Sequence, residues 1–357
     1  MAKQFYDLKV SKVLRRTKDA VSVYFEVPSD FKDAFAYKAG QYLTIKLDKQ
    51  GVAERRAYSI STSPINSAEL GVTVKEVQGG KVSPWINNVL KEGTILEVMP
   101  PLGNFTFDIN SSNENSYVFY AGGSGITPII SLVKTILHTE NKSKVLLYYA
   151  NTDLQSIIFR DELESLAKEY SNFKLVHILN TPDSSLESEM GRIDPEKCRK
   201  YLQKDWDNFD IQNSEYFLCG PSGFMSQVEI ALDELQIDKK KIHKESFTVE
   251  ENNSTKSADS SSNTNVTRKV KVHIYGEEHE ILVKPDETIL MAGIRQSLDP
   301  PFSCQIGACA TCQAKVIKGN VEMEADDALM EEDKIDGYIL TCTAHPITDD
   351  VEIDYDY

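Results

Sequence analysis

The apolar positions along the chain change rhythm twice. Over the first hundred residues they come as short β-branched and aromatic runs, VSVYFEV, QYLTIKL, GVTVKEV and TILEVMP, each closed by turn residues. That spacing predicts strands of an antiparallel β-barrel or sandwich. One helix is expected among them, in SPWINNVLKEG, opening at Ser83 and stopping near Gly93. From about residue 116 apolar strands alternate with helical periods. YVFYA, KVLLYYA, FKLVHIL and EYFLCG read as strands. TPIISLVKTILHTE, SIIFRDELESLAKEY and GFMSQVEIALDEL read as helices, the first with Ile129, Leu132, Val133, Ile136 and Leu137 on one face. This alternation predicts a doubly wound α/β domain on a mostly parallel sheet. The third rhythm runs from KVKVHIY and HEILVK through the helical ETILMAGIRQSL to a cysteine loop, the strand CQAKVIKG and the ending YILTCTAHPITDDVEIDYD. Hairpin, helix, loop, strand is the order of a compact β-grasp unit.

Before that third unit stands TVEENNSTKSADSSSNTNVT, rich in Ser, Asn and Thr, with little to bury. A flexible linker is expected there. The expected organisation is a β-barrel over 1–108, an α/β domain over 109–247, the linker over 248–267 and a β-grasp domain over 268–357. No apolar run approaches the roughly 18 residues of a membrane span. The opening MAKQFYDLKV lacks the apolar core of a secretory signal. The expectation is a cytoplasmic protein with no membrane association.

Charge and cysteines sharpen the picture. The net charge is −16. Residues 268–357 hold 8 Lys and Arg against 19 Asp and Glu, a net of −11. A unit so acidic is repelled by nucleic acid and by anionic lipid, and drawn to a basic protein surface. Four of the six cysteines, Cys304, Cys309, Cys312 and Cys342, fall in this unit, which points to ligation rather than a disulfide scaffold. They form C-x4-C-x2-C followed thirty residues later by the fourth thiol, the plant-type [2Fe–2S] spacing. Gly307, Ala308, Ala310 and Thr311 are small enough for backbone N–H groups to approach the sulfurs and tune the potential. A structural zinc site is the alternative, although zinc usually takes paired C-x2-C knuckles and one such pair exists here. The stretch PFSCQIGACATCQAKVIKGNVEMEADDAL with GYILTCTAHP resembles plant-type ferredoxin domains found at the C-terminus of multidomain reductases.

Two further sets of residues carry chemistry. Arg56-Ala57-Tyr58-Ser59 in RRAYSIST, just ahead of an expected strand, resembles the R-x-Y-[ST] signature of the ferredoxin–NADP reductase superfamily. The resemblance implies a flavin, FAD, with Arg56 on its phosphate, Tyr58 against the isoalloxazine and Ser59 near N5. Gly80-Lys81-Val82-Ser83 resembles the family's pyrophosphate turn, Val74 and Lys75 match the strand that approaches the flavin, and PPLGNF matches the barrel-closing loop. In AGGSGITPII, Gly123 and Gly125 allow close backbone approach to a pyrophosphate, Thr127 is expected to cap the helix, and Pro128 suits its first turn. This G-x-G-x-x-P form is the superfamily's. So is the Cys219-Gly220-Pro221 turn, which the resemblance puts beside the nicotinamide. KESF is similar to the family's E-x-F, implying Glu245 and Phe247 by the flavin. Cys198, with no motif around it, reads as a buried structural thiol. For the nucleotide, NADPH or NADH, the signals conflict: Asn180, Thr181 and Asp153 suit a free 2′-OH, whereas Arg160 and Arg192 are available for a 2′-phosphate.

End to end, the domain order resembles the phenylacetyl-CoA epoxidase reductases and related oxygenase reductases. The resemblance implies electron flow from NAD(P)H to FAD, to [2Fe–2S], and on to an oxygenase or other acceptor protein with a basic docking surface. Ser59 and Cys219 would shape the hydride contact, and Glu245 would relay a proton. The competing expectations are an FMN reductase of a ring-hydroxylating dioxygenase, a general ferredoxin-like reductase, and a non-enzymatic zinc-stabilised nucleotide-binding module.

Overall fold

The computed structural model describes residues 4–49, 52–65, 69–204, 209–247, 266–326 and 328–357. They form two units, Phe5–Glu245 on the one hand and Ser246–Tyr357 with Gln4 on the other. All but the last two residues of the expected linker lie outside the described residues.

The first unit begins with six antiparallel strands: β1 (Tyr6–Thr17), β2 (Ala20–Glu26), β3 (Tyr42–Lys49), β4 (Val52–Ser59), β5 (Leu70–Lys75) and β6 (Ile95–Leu102). Their order is β4-β3-β6-β1-β2-β5, and a bridge between Ile60 and Val72 joins the two ends. The sheet is therefore a closed barrel, which removes its free edges. Leu8, Val10, Val23, Leu43, Ile45, Ile60, Val72 and Val98 fill it. RRAYS does not precede a strand, as expected, but forms the end of β4. Helix α1 (Ser83–Asn88) stops a turn short of the expectation. The Asn87 and Asn88 amides donate back to the carbonyls of Ser83 and Pro84, and Asn87 donates also to Val74, ending the helix against β5.

The α/β part comprises β7 (Ser116–Gly122), α2 (Ile126–Thr139), β8 (Lys144–Asn151), α3 (Arg160–Glu169), β9 (Phe173–Leu179), β10 (Glu189–Met190), α4 (Pro195–Lys204), β11 (Glu215–Cys219), α5 (Ser222–Glu234) and β12 (Ile242–Glu245). The sheet order is β10-β9-β8-β7-β11-β12, and every neighbouring pair is parallel. Sequence order reverses between β7 and β11, so the ligand crevice of such a sheet opens there. Helix α2 is buried around most of its girth: Ile130, Ser131 and Thr135 are as buried as the expected face. Its outer side seats the barrel, with Ser131 Oγ donating to the Thr62 carbonyl (2.6 Å) and Ser63 bonded to Thr135 (2.9 Å). The helix expected from Ser156 starts only at Arg160, because a 3-10 turn over Leu154–Ser156 and a left-handed Phe159 (φ 62°) come first.

The second unit is a mixed sheet with order β14-β13-β19-β15-β17, built from β13 (Arg268–Ile274), β14 (Glu277–Val283), β15 (Gln313–Lys318), β17 (Tyr338–Leu340) and β19 (Val351–Asp354). Helix α6 (Ile289–Arg295) covers it, capped by Thr288 Oγ1 on the Met291 N–H (3.2 Å). A two-stranded ribbon, β16 (Val321–Met323) with β18 (Ala344–Pro346), and a short α7 (Glu331–Ile335) complete the β-grasp.

Candidate functional site

The chemistry-bearing residues of the first unit meet where the barrel touches the nucleotide sheet. Parallel pairing of β11 with β12 sets Cys219 opposite Glu245, and Ser59 at the end of β4 donates to Glu245 Oε2 (3.2 Å). Ser59 and Cys219 are buried, and Glu245 is half-buried. Protein packed around the Glu245 carboxyl disfavours its charged form and pushes it up to about 8, a rise only partly offset by the Ser59 hydroxyl. The buried Cys219 thiol is pushed up by the same desolvation and by Glu245.

The two glycine turns pack backbone on backbone. A Cβ on Gly125 would lie 2.8 Å from the Gly220 nitrogen and closer still to the Cys219 carbonyl. One on Gly220 would lie 3.0 Å from Gly122. Gly125, expected to admit a pyrophosphate, is thus required by the approach of the two loops. Gly123 (φ +53°) is the glycine whose Cβ direction is open. Thr127 does not cap α2 either; its hydroxyl donates to the Ser124 carbonyl (3.1 Å), and Gly125 occupies the cap. Pro128 does lie in the first turn of α2, and Pro221 occupies the N-cap of α5.

At the other end of β4, the strand's alternation puts Glu54, Arg56 and Tyr58 on one side. Arg56 pairs with Glu54 (3.1 Å), and Lys81 pairs with the same carboxylate (2.6 Å). Glu54 was not singled out in the sequence. It holds two motif cations from segments twenty-five residues apart, and the Lys81 hydrogen bond keeps its own pKa low. Beside them a cleft of about 540 Å³ is lined by Glu54, Gly80, Lys81, Pro84, Trp85 and Asn88 among others. Ser83 Oγ accepts from the Val77 N–H (3.0 Å) and closes the Gly80–Ser83 turn, with Val82 buried beneath it. Tyr58 packs on the barrel core, its hydroxyl pKa raised by burial. Val74 points into that core, and Lys75 pairs with Asp19 (3.7 Å). A cation pair, an open turn and an aromatic ring along one barrel face fit a phosphate-bearing flavin. Phe247, 39 % exposed, belongs to the other unit.

In the second unit the cysteine loop is wound so that its N–H groups face sulfur. Gln305, Gly307 and Ala310 are left-handed (φ 60°, 79° and 51°). A run of such conformations in a functional loop is strained and needs outside support. The N–H groups of Ile306 and Ala308 donate to Cys304 Sγ (3.4 and 3.3 Å), that of Gly307 to Cys342 Sγ (3.3 Å), and that of Cys304 to Cys309 Sγ (3.4 Å). Thiol contacts join Cys304 to Cys309 and Cys342, and Cys342 to Cys312. The hydrogen bonds from Cys309 and Cys342, reinforced by those two N–H groups, favour the Cys304 thiolate. Four converging sulfurs fed by backbone donors fit a thiolate-ligated iron–sulfur cluster. Behind them Thr341 Oγ1 donates to the Cys312 carbonyl (2.9 Å) and accepts from the buried Tyr355 hydroxyl (2.8 Å).

Comparison with known proteins agrees with this layout. Residues 7–107 match the family model of the oxidoreductase FAD-binding domain, 119–230 that of the oxidoreductase NAD-binding domain, and 272–346 that of the 2Fe-2S iron-sulfur cluster binding domain. The chain is 37 % identical to a component of the 1,2-phenylacetyl-CoA epoxidase of Escherichia coli (strain K12), over 99 % of this chain and 98 % of that one. It is 34 % identical to the ferredoxin reductase component of 3-ketosteroid-9-alpha-monooxygenase of Rhodococcus rhodochrous, over 98 % and 96 %. The fold is shared with phthalate dioxygenase reductase (TM-score 0.60, 22 % identity, 98 % of each chain). Among the described residues no helix is long and apolar enough to cross a membrane. The chain belongs to the ferredoxin–NADP reductase superfamily, as an NAD(P)H-dependent oxidoreductase with FAD-binding, NAD-binding and C-terminal [2Fe–2S] domains.

Proposed function

We propose that this chain is the reductase component of an oxygenase, and that its acceptor is an oxygenase of the phenylacetyl-CoA epoxidase type. The observation that carries the reading is the junction of Ser59, Cys219 and Glu245 at the switch point of the sheet, in a chain that also holds the four-cysteine loop. When bound, FAD would supply the conversion of a two-electron hydride from NAD(P)H into single electrons, which the [2Fe–2S] cluster held by Cys304, Cys309, Cys312 and Cys342 would relay to the acceptor. The chain divides at 108 and 247 into flavin and nucleotide domains, with 268–357 as the cluster domain.

The residues have separable tasks. Arg56 and Lys81, with the N–H groups of Val82 and Ser83, hold the flavin phosphates, and the Gly80 N–H closes the turn on the Val77 carbonyl (2.9 Å). Tyr58 lies against the ring, Lys75 lines its edge, Val74 supports them from the barrel core, and Ser59 stands at the N5 end. Gly123 and the first turn of α2, with Thr127 and Pro128, receive the nucleotide pyrophosphate. Cys219, Gly220 and Pro221 shape the nicotinamide side, where closeness of donor and acceptor supplies most of the rate. Glu245, protonated up to about pH 8, holds a proton at that contact. Cys304, Cys309, Cys312 and Cys342 ligate the cluster. The net charge of −11 over 268–357 favours a partner with a basic docking face.

An anaerobic titration of the purified protein with NADH and NADPH, followed by visible absorption and electron paramagnetic resonance, tests this. Bleaching of a flavin band together with a rhombic signal from a reduced [2Fe–2S] cluster is expected. A colourless protein, or one loaded with iron whose cluster signal never appears, would defeat the reading.

A further inference from the structure

Two buried polar side chains stand unpartnered at the C-terminal edge of the nucleotide sheet. Asn151 ends β8 and is 8 % exposed, yet neither its amide nitrogen nor its carbonyl oxygen makes a hydrogen bond. His177 on β9 is 4 % exposed, and neither ring nitrogen is bonded. The parallel register pairs Tyr149 with His177 and Asn151 with Leu179, so all four share the face that α2 and α3 cover. Tyr149 lies beside Asn151, but its hydroxyl donates to the carbonyls of Gly123 (3.2 Å) and Ile158 (3.3 Å). That bond ties this corner to the open glycine of the nucleotide loop. A buried polar group left unbonded is destabilising, and such a cost persists where something outside the chain completes the bonds.

We infer that Asn151 seats the adenosine-side ribose of the nucleotide, and that the site selects NADH over NADPH. This rests on the reading of the sheet edge as the nicotinamide-nucleotide site. A carboxamide offers one donor side and one acceptor side, which matches a free ribose diol. A 2′-phosphate would need unpaired cations instead, and the cation whose field reaches His177, Arg160, is already taken up by carboxylates. Asp153 follows Asn151 directly after Thr152, its carboxylate held on the Ser156 N–H (2.9 Å). Arg160 is paired with Asp161 (3.0 Å) and Glu164 (3.8 Å), and its field also reaches Asp183. One guanidinium thus faces three carboxylates. The strand ends are clipped through uncharged residues, the Asn180 N–H donating to the Asn151 carbonyl (3.2 Å) and the Thr181 N–H to that of Thr152 (2.9 Å). Arg192 follows β10, two strands out from β8, or about 10 Å at the usual strand spacing, and Lys197 is held there on the Met190 and Arg192 carbonyls (3.1 and 2.8 Å). The structure therefore resolves the conflict among the sequence signals in favour of the free 2′-OH.

Stopped-flow reduction of the flavin in the full-length holoprotein tests the inference. NADH is expected to bind at least tenfold more tightly than NADPH. Asn151→Ala should raise the NADH Kd about tenfold, with the loss in Kd rather than in the limiting rate. Its nucleotide-free thermal midpoint should stay level or rise, because an unbonded polar group is removed; a merely structural Asn151 would lower it. Asp153→Asn with Asp183→Asn keeps both turn acceptors while deleting charge, and should narrow the NADH-to-NADPH ratio. NADPH binding as tightly as NADH, or an Asn151→Ala variant with the parent Kd for NADH, would overturn the inference. A flavin that neither nucleotide reduces would instead overturn the reductase reading on which it depends.

Discussion

Replacing Gly125 by Ala probes the joint between the two nucleotide turns. The new Cβ would stand 2.8 Å from the Gly220 nitrogen and nearer to the Cys219 carbonyl. An ordinary contact needs about 3.4–4 Å, so the loops must part by about 1 Å. The obstructing atoms are backbone and cannot rotate aside. Overpacking of this kind costs about 1–3 kcal/mol where side chains yield, and the upper end is expected here. For a body of this size that lowers the thermal midpoint by about 6–12 °C. Gly123→Ala is the control. Its Cβ meets nothing within 4 Å, so only the left-handed backbone (φ +53°) resists, at about 1–2 kcal/mol. The functional contrast runs the same way. Parting the loops shifts Cys219 against Glu245 and Ser59, and a displacement of about 1 Å at a reacting pair can cost on the order of 10²-fold in rate. Calorimetry of the flavin-loaded protein and stopped-flow flavin reduction read both effects. A Gly125→Ala variant that melts within 2 °C of the parent, by the ~2–4 °C per kcal/mol scale, and reduces flavin at the parent rate would refute the reasoning.

Three other perturbations separate the remaining features. Glu245 has a raised carboxyl, so its contribution to stability is complete below about 4.5 and is lost as pH climbs through about 8. Stability should fall across that window by up to about 1.4 kcal/mol per pH unit, and Glu245→Gln, which mimics the protonated form, should flatten the slope; equal slopes in chemical-denaturation series would speak against it. Cys342→Ser should abolish the cluster's paramagnetic signal while ferricyanide reduction by NAD(P)H continues, and loss of both in a folded, flavin-loaded variant would contradict the order of carriers. Tyr355→Phe removes the donor to Thr341 and should cost about 1 kcal/mol of stability in the cluster domain, with the g-values shifted as the Cys312 carbonyl relaxes; an unmoved spectrum would confine Tyr355 to packing.

Much of this protein is local in origin, and that part is legible along the chain. The cysteine spacing, the glycine turns and the Arg-x-Tyr-Ser run are short, because each wraps its own backbone around a ligand. The parallel strands announce themselves as unbroken apolar runs because both of their faces are buried. Where a period breaks, legibility ends. The twelve residues of β1 carry two register shifts, and its burial alternates irregularly. Strand β12, Ile-His-Lys-Glu, has almost no apolar signal; its pairing with β11 makes it a strand. The same holds for the sites. The resemblance put Ser59 and Glu245 at one flavin, but no pattern in the sequence sets the hydrogen bond between them, 186 positions apart, or clamps Arg56 and Lys81 on Glu54. None turns Gly125 from a ligand glycine into a packing glycine, or leaves Asn151 buried and unbonded. The sequence by itself determined which chemistries the chain carries, since those depend on residue type and short spacing. Which residues meet was decided by barrel closure, strand register and the docking of α2, because contacts between distant segments depend on the packing of the whole unit.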